Sequence, residues 1–129
     1  MKKILVFATL VLFTTSCQES LEDRCAREAK EYTAKNCPAK MDQNIIMDSL
    51  TFEKQTHTLH YYYRLTGVAD REGSLDSIDA KKLLKDMLKN TTSMKTYKDN
   101  GYSFAYTYHS EKDPKKVLFE TTFTEEDYK

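Results

Sequence analysis

The chain has 129 residues, room for one domain and not two, with 20 basic and 20 acidic side chains. Lys2 and Lys3 fall in a leader expected to be removed, which leaves a net charge of about −2 and no concentrated basic patch for nucleic acid. Aromatics make up 12%, nine of them Tyr and none Trp, too many for a disordered tail, and three Gly with two Pro leave no low-complexity linker.

Residues 1–16 read as a targeting segment. Lys2 and Lys3 give a positive start, and Ile4 to Phe13 is an apolar run too short to cross a bilayer. Thr14, Thr15 and Ser16 are small, and Cys17 follows. The segment resembles the signal of bacterial lipoproteins, in which the peptidase cuts before a lipidated Cys; Thr14 stands where Leu is commoner. The resemblance implies a diacyl or triacyl (palmitate-like) anchor on Cys17, with residues 17–20 as a short tether. Stable anchoring needs two chains or more, each buried methylene contributing about 0.8 kcal/mol. Glu19, Glu22 and Asp23 behind the Cys resemble the surface-export signals of Bacteroidetes lipoproteins; equally, they suit the first turn of a helix. A membrane, through lipid, is thus one expected partner. The place is the cell envelope, at an outer membrane, facing either the periplasm or the cell surface.

Residues 17–129 then form one domain. A helix is expected from Ser20, as N-cap, to about Asn36, with Leu21, Cys25, Ala29 and Tyr32 as its apolar stripe and Pro38 beyond its end. From Ile45 the period becomes two. Ile46, Leu50 and Phe52 share one parity, and Leu59, Tyr61, Tyr63 and Leu65 alternate after a turn at 54–57, which predicts a hairpin. A second helix is predicted from Asp76 to about Thr92, capped by Asp76 or Ser77, with Ala80, Leu83, Leu84, Met87 and Leu88 facing the core. After Asn100-Gly101, two strands (Tyr102–Tyr108 and Val117–Phe123) flank a turn at 111–114, and a polar tail closes the chain. The order α-β-β-α-β-β predicts an α+β fold: a four-stranded antiparallel sheet with two helices on one face.

The mature region resembles small lipoproteins of gut Bacteroidetes, on the segments Asn36-Cys37-Pro38, Asp48-Ser49-Leu50, Tyr61-Tyr62-Tyr63 and Thr122 to Tyr128. That resemblance implies no activity and no site. Asp48-Ser49-Leu50 and Asp76-Ser77-Ile78 also resemble the O-glycan acceptors of exported Bacteroidetes proteins, which makes Ser49 and Ser77 candidate modification sites. Cys25 and Cys37 are an even pair in an oxidising compartment. Twelve helical residues span about 18 Å, however, so a disulfide requires the helix to begin late or end early.

Neither catalytic nor metal-ligating residues emerge, and no cofactor is expected. His57 lies in a turn, His60 opposite Tyr61, and His109 at a strand end, without the convergence that metal needs. Asp48 and Ser49 lack a His partner in the pattern, and neighbours on a strand point to opposite faces. With Tyr61 and Tyr63 inward, His60, Tyr62 and Arg64 form an outer stripe able to bind an envelope protein or a glycan. The leading expectation is a non-enzymatic binding or accessory domain. Two alternatives stand beside it: an envelope hydrolase or its inhibitor acting through the 66–74 loop, and a purely structural or assembly subunit.

Overall fold

The computed structural model describes residues 19–129. The signal segment and Cys17 lie outside them. Helix α1 (Leu21–Asn36) starts where Ser20 Oγ accepts the Asp23 N–H at 3.1 Å. Glu22 and Asp23 sit in its first turn and reach the 54–57 turn, Glu22 to His57 at 3.0 Å and Asp23 to Lys54 at 2.7 Å. Its stripe buries Cys25 and Ala29. Tyr32, expected on that stripe, is exposed. The chain leaves α1 through a cis Cys37–Pro38 bond.

Five strands follow in spatial order: β1 (Ala39–Asp42), β2 (Ile45–Glu53), β3 (Thr58–Leu65), β4 (Ser103–Ser110) and β5 (Val117–Phe123). The expected four-stranded antiparallel sheet is therefore corrected to a five-stranded mixed one. β1 was hidden because Ala-Lys-Met-Asp is too short and polar to show a period. β3 and β4 are parallel, Thr58 beside Ser103 and Leu65 beside Ser110, since the connection between them crosses over instead of turning back. That crossover holds helix α2 (Ala80–Asn90) and helix α3 (Lys95–Asp99), and helix α4 (Glu125–Tyr128) ends the chain.

A bulge at Asp48 resets the parity of β2. Met47 pairs with Tyr63 and Leu50 with Tyr61, on the covered face, but Ile46 pairs with Arg64 on the other. The expected common face of Ile46, Leu50 and Phe52 is broken there. α2 also starts later than expected. Asp76–Ile78 forms a separate 3-10 turn, and Asp79, at φ 47°, is the N-cap, its carboxylate accepting the Lys82 N–H at 3.4 Å. At the other end Lys98 Nζ donates to the carbonyls of Leu88 and Thr91, both at 2.7 Å.

The core lies between the sheet and α1 with α2. Leu65, Phe104 and Phe123 are wholly buried, with Cys25, Met47, Leu59, Leu84 and Leu88 around them. Tyrosines build much of it: Tyr61 stacks on Tyr106 at 4.9 Å and Tyr63 on Tyr108 at 4.6 Å. Burial pushes the Tyr61, Tyr63 and Tyr106 hydroxyls well above their usual range and Tyr108 up to about 12. The polar tail is docked on the domain. Thr124 and Asp127 form a capping box, and Tyr128 Oη donates to the Tyr102 carbonyl at 2.6 Å. Cys25 and Cys37 are free thiols, one in the second turn of α1 and one just past its end. Burial raises the Cys25 thiol to about 12, against a hydrogen bond from Tyr97 that lowers it. No helix among the described residues is long and apolar enough to cross a membrane.

Candidate functional site

The strand alternation places His60, Tyr62 and Arg64 together on the sheet face opposite the helices, in register with Thr51, Ser49 and Ile46 on one side and Ala105, Thr107 and His109 on the other. The three residues are engaged with their neighbours. Thr107 Oγ1 donates to Glu120 at 2.8 Å, so its lone pair is what receives His60 Nε2–H at 2.7 Å. His60 Nδ1 lies 2.8 Å from Glu53 Oε2 and 3.1 Å from Tyr62 Oη. The two rings stack at 4.1 Å. Burial, with Glu53 second, raises the Tyr62 hydroxyl. One relay thus runs Glu53–His60–Thr107–Glu120 over β2, β3, β4 and β5.

A second cluster lies toward the far ends of these strands. Asp48, swung out by the bulge, has Arg64 Nε 3.1 Å from Oδ1 and His109 Nε2 3.0 Å from Oδ2. The Arg64 N–H is not aimed at that oxygen, so charge attraction and not a hydrogen bond joins them. Glu111 completes the group, 3.6 Å from Arg64. Sequence reasoning missed the pairing of His109 with Asp48, because the parallel β3–β4 register that brings them together leaves no local mark. His109 Nδ1 is buried and has no hydrogen-bond partner among the described residues. Ser49 lies on β2 opposite Tyr62, and Ser77 lies in the Asp76–Ile78 turn. Among the described residues no group of three or more His, Cys, Asp or Glu is placed to hold a metal.

The 66–74 loop, which carried the hydrolase or inhibitor alternative, is bound into the fold. Asp70 is buried and accepts the Lys112 N–H at 3.0 Å, and the Ser110 hydroxyl is the main cause of its lowered pKa. Glu72 pairs with Lys116 at 2.9 Å.

An open apolar feature with large exposed side chains on its walls lies elsewhere. Between α2 and the β1–β2 end runs an apolar groove of about 260 Å³, with Ile45, Tyr63, Leu75 and Tyr108 at its base. Its walls are Met41, Ile78, Leu83 and Met87, each more than half exposed. Leu83 and Met87, read from periodicity as core, are thus corrected to a groove wall: only Ala80, Leu84 and Leu88 turn into the core. Asp42 lines one wall and Asp79 adjoins the other. Neither carboxylate belongs to an ion pair among the described residues, while nearby Asp86 is paired with Lys82 at 3.1 Å.

Residues 20–119 match the family described as a domain of unknown function, DUF8479. The chain belongs to that family. No curated protein matches this DUF8479 domain. Solved structures share its fold. A candidate secreted protein of Pseudomonas aeruginosa superposes with a TM-score of 0.65 at 17% identity, over 87% of this chain and all of the other. The pilotin of the Vibrio vulnificus type 2 secretion system superposes with 0.65 at 9% identity, over 84% and 91%. The type II secretion pilotin of Vibrio cholerae gives 0.55 at 12%, over 82% and 90%. At these identities the likeness is one of fold.

Proposed function

We propose that this DUF8479 domain is a non-enzymatic accessory or assembly protein of a bacterial envelope, held to a membrane by lipid on Cys17. Its partner docks in the groove between α2 and the β1–β2 end. One observation carries the reading: four of the seven large apolar side chains left exposed among the described residues, Met41, Ile78, Leu83 and Met87, line that single groove. The occupant is an amphipathic segment of another envelope protein with basic flanks, which would meet the carboxylates of Asp42 and Asp79. Met side chains suit such a surface because they adapt to irregular shapes.

Geometry argues against a lipid as occupant. Three Cα-to-Cα steps lead from Cys17 to Ser20, a reach of about 11 Å at most. α1 begins beside the 54–57 turn, whereas the groove lies at the opposite end of the sheet, past the eight residues of β3. That length is about 25 Å. A tethered domain would therefore present the groove away from the bilayer in which its own acyl chains are anchored. The shared fold with pilotins of type 2 secretion systems supports an assembly role.

A photocrosslinking residue at Met87 in the full-length protein, irradiated in intact cells, should give one defined adduct. Its crosslinked peptide should carry Lys or Arg beside an apolar stripe, and Leu83→Lys should remove it. An adduct from Tyr62 and none from Met87 would move the site to the His60, Tyr62 and Arg64 face. Intact mass of the membrane-purified protein beside a Cys17→Ala variant checks the anchor, expected as acyl mass on a chain starting at residue 17. Hexose-sized increments lost with Ser49→Ala or Ser77→Ala would establish the O-glycans proposed there.

A further inference from the structure

The two edges of the sheet are finished differently. On the β1 side the edge is blunted three ways. β1 has four residues, a bulge between Lys40 and Asp42 disrupts its ladder, and both those residues are charged. Where β1 ends, β2 has no further strand beside it, and α1 takes over: Thr33 Oγ1 donates to the Leu50 carbonyl at 2.8 Å and accepts the Leu50 N–H at 2.9 Å. One hydroxyl thus occupies both backbone groups that a new strand would need.

The β5 side is less protected: it has seven residues, and its register shift, at Leu118 between the Tyr108–Phe119 and His109–Val117 pairs, lies at its start and leaves 119–123 in regular register. β5 pairs with β4 on one side, and among the described residues no hydrogen bond from another element reaches the outward backbone of 118–123. Val-Leu-Phe-Glu-Thr-Thr-Phe contains no Pro, Gly or Lys. Its one charge, Glu120, is turned onto the outer face, where it accepts from Thr107. Such a segment is a template for strand pairing. Lys115 and Lys116 precede it, and Glu125, Glu126 and Asp127 follow it. A sequence basic at its start and acidic at its end is complementary to itself when two copies run antiparallel.

We propose that two copies of this chain pair antiparallel through β5, joining their sheets into one of ten strands. The register that sets Thr121 against Thr121 brings Phe119 opposite Phe123, Glu120 opposite Thr122, and the Lys115–Lys116 end of each copy against the Glu125–Asp127 end of the other. The register one step back sets Glu120 on Glu120, which like-charge repulsion disfavours. Aromatic and β-branched cross-strand pairs favour the first. This pairing is independent of the α2 groove, which lies across the sheet from β5.

Full-length protein purified in detergent should sediment at twice the protein mass of one chain. Thr121→Cys should form an intermolecular disulfide in the membrane, since facing strand residues lie within disulfide reach, and Thr122→Cys should do so far less. Lys115→Glu and Glu126→Lys should each weaken the dimer several-fold, and the two together should restore it, a rescue that misfolding would not produce. A monomer at all concentrations, or equal crosslinking from positions 121 and 122, would overturn the pairing.

Discussion

The two faces of the sheet are assembled from similar residue types and held by different forces. On the covered face Tyr61, Tyr63, Tyr106 and Tyr108 stack in pairs under the helices, and their stabilisation comes from apolar area removed from water. On the uncovered face His60, Tyr62, Arg64 and His109 are half-buried without any element over them, shielded and bonded by each other. A polar face of this kind depends on completeness, because a relay missing one member leaves its neighbours with unmet hydrogen bonds.

That contrast is open to attack. Phe104→Ala should be the most damaging change, about 3–5 kcal/mol by denaturant titration, since Phe104 is wholly buried on the covered face. On the other face Thr107→Val keeps shape but strands His60 and Glu120; the expected loss is about 1–3 kcal/mol. If Thr107→Val cost nothing, the uncovered face would be ordinary solvated surface. Thiol alkylation sharpens the point without mutation: at pH 8 Cys37 should react well before Cys25, whose thiol burial lifts to about 12, and the two rates should converge in denaturant. The smallest effect on stability belongs to Leu83→Gln with Met87→Gln, within about 0.5 kcal/mol because both are more than half exposed. The same pair should abolish capture at the groove.

Much of the domain was legible from alternation. The α1 limits, the Leu59–Leu65 strand, the last two strands and the outward set His60, Tyr62 and Arg64 all follow from period and caps. What escaped was non-local or subperiodic. The parallel pairing depends on where a long connection returns, and the Asp48 bulge is a one-residue event that no pattern marks. Leu83 and Met87 fit a core helix perfectly well by spacing; α2 turns only the Ala80, Leu84 and Leu88 side inward, and that rotation is set by the sheet. The α2 wall of the groove was therefore present in the sequence among five apolar positions, but which of them stay uncovered is tertiary information.

The parallel pair at the centre of the sheet also sets a schedule. Thr58 cannot find Ser103 until the whole crossover, α2 and α3 included, has been laid down between them. Closing so long a loop costs entropy before any contact repays it, which slows folding. The β2–β3 hairpin and α1 can assemble early from the first half, but Leu65 stays without Phe104 and Phe123 until the last quarter of the chain arrives. A chain delivered N-terminus first across a membrane would thus remain pliable through most of its passage and lock only near the end.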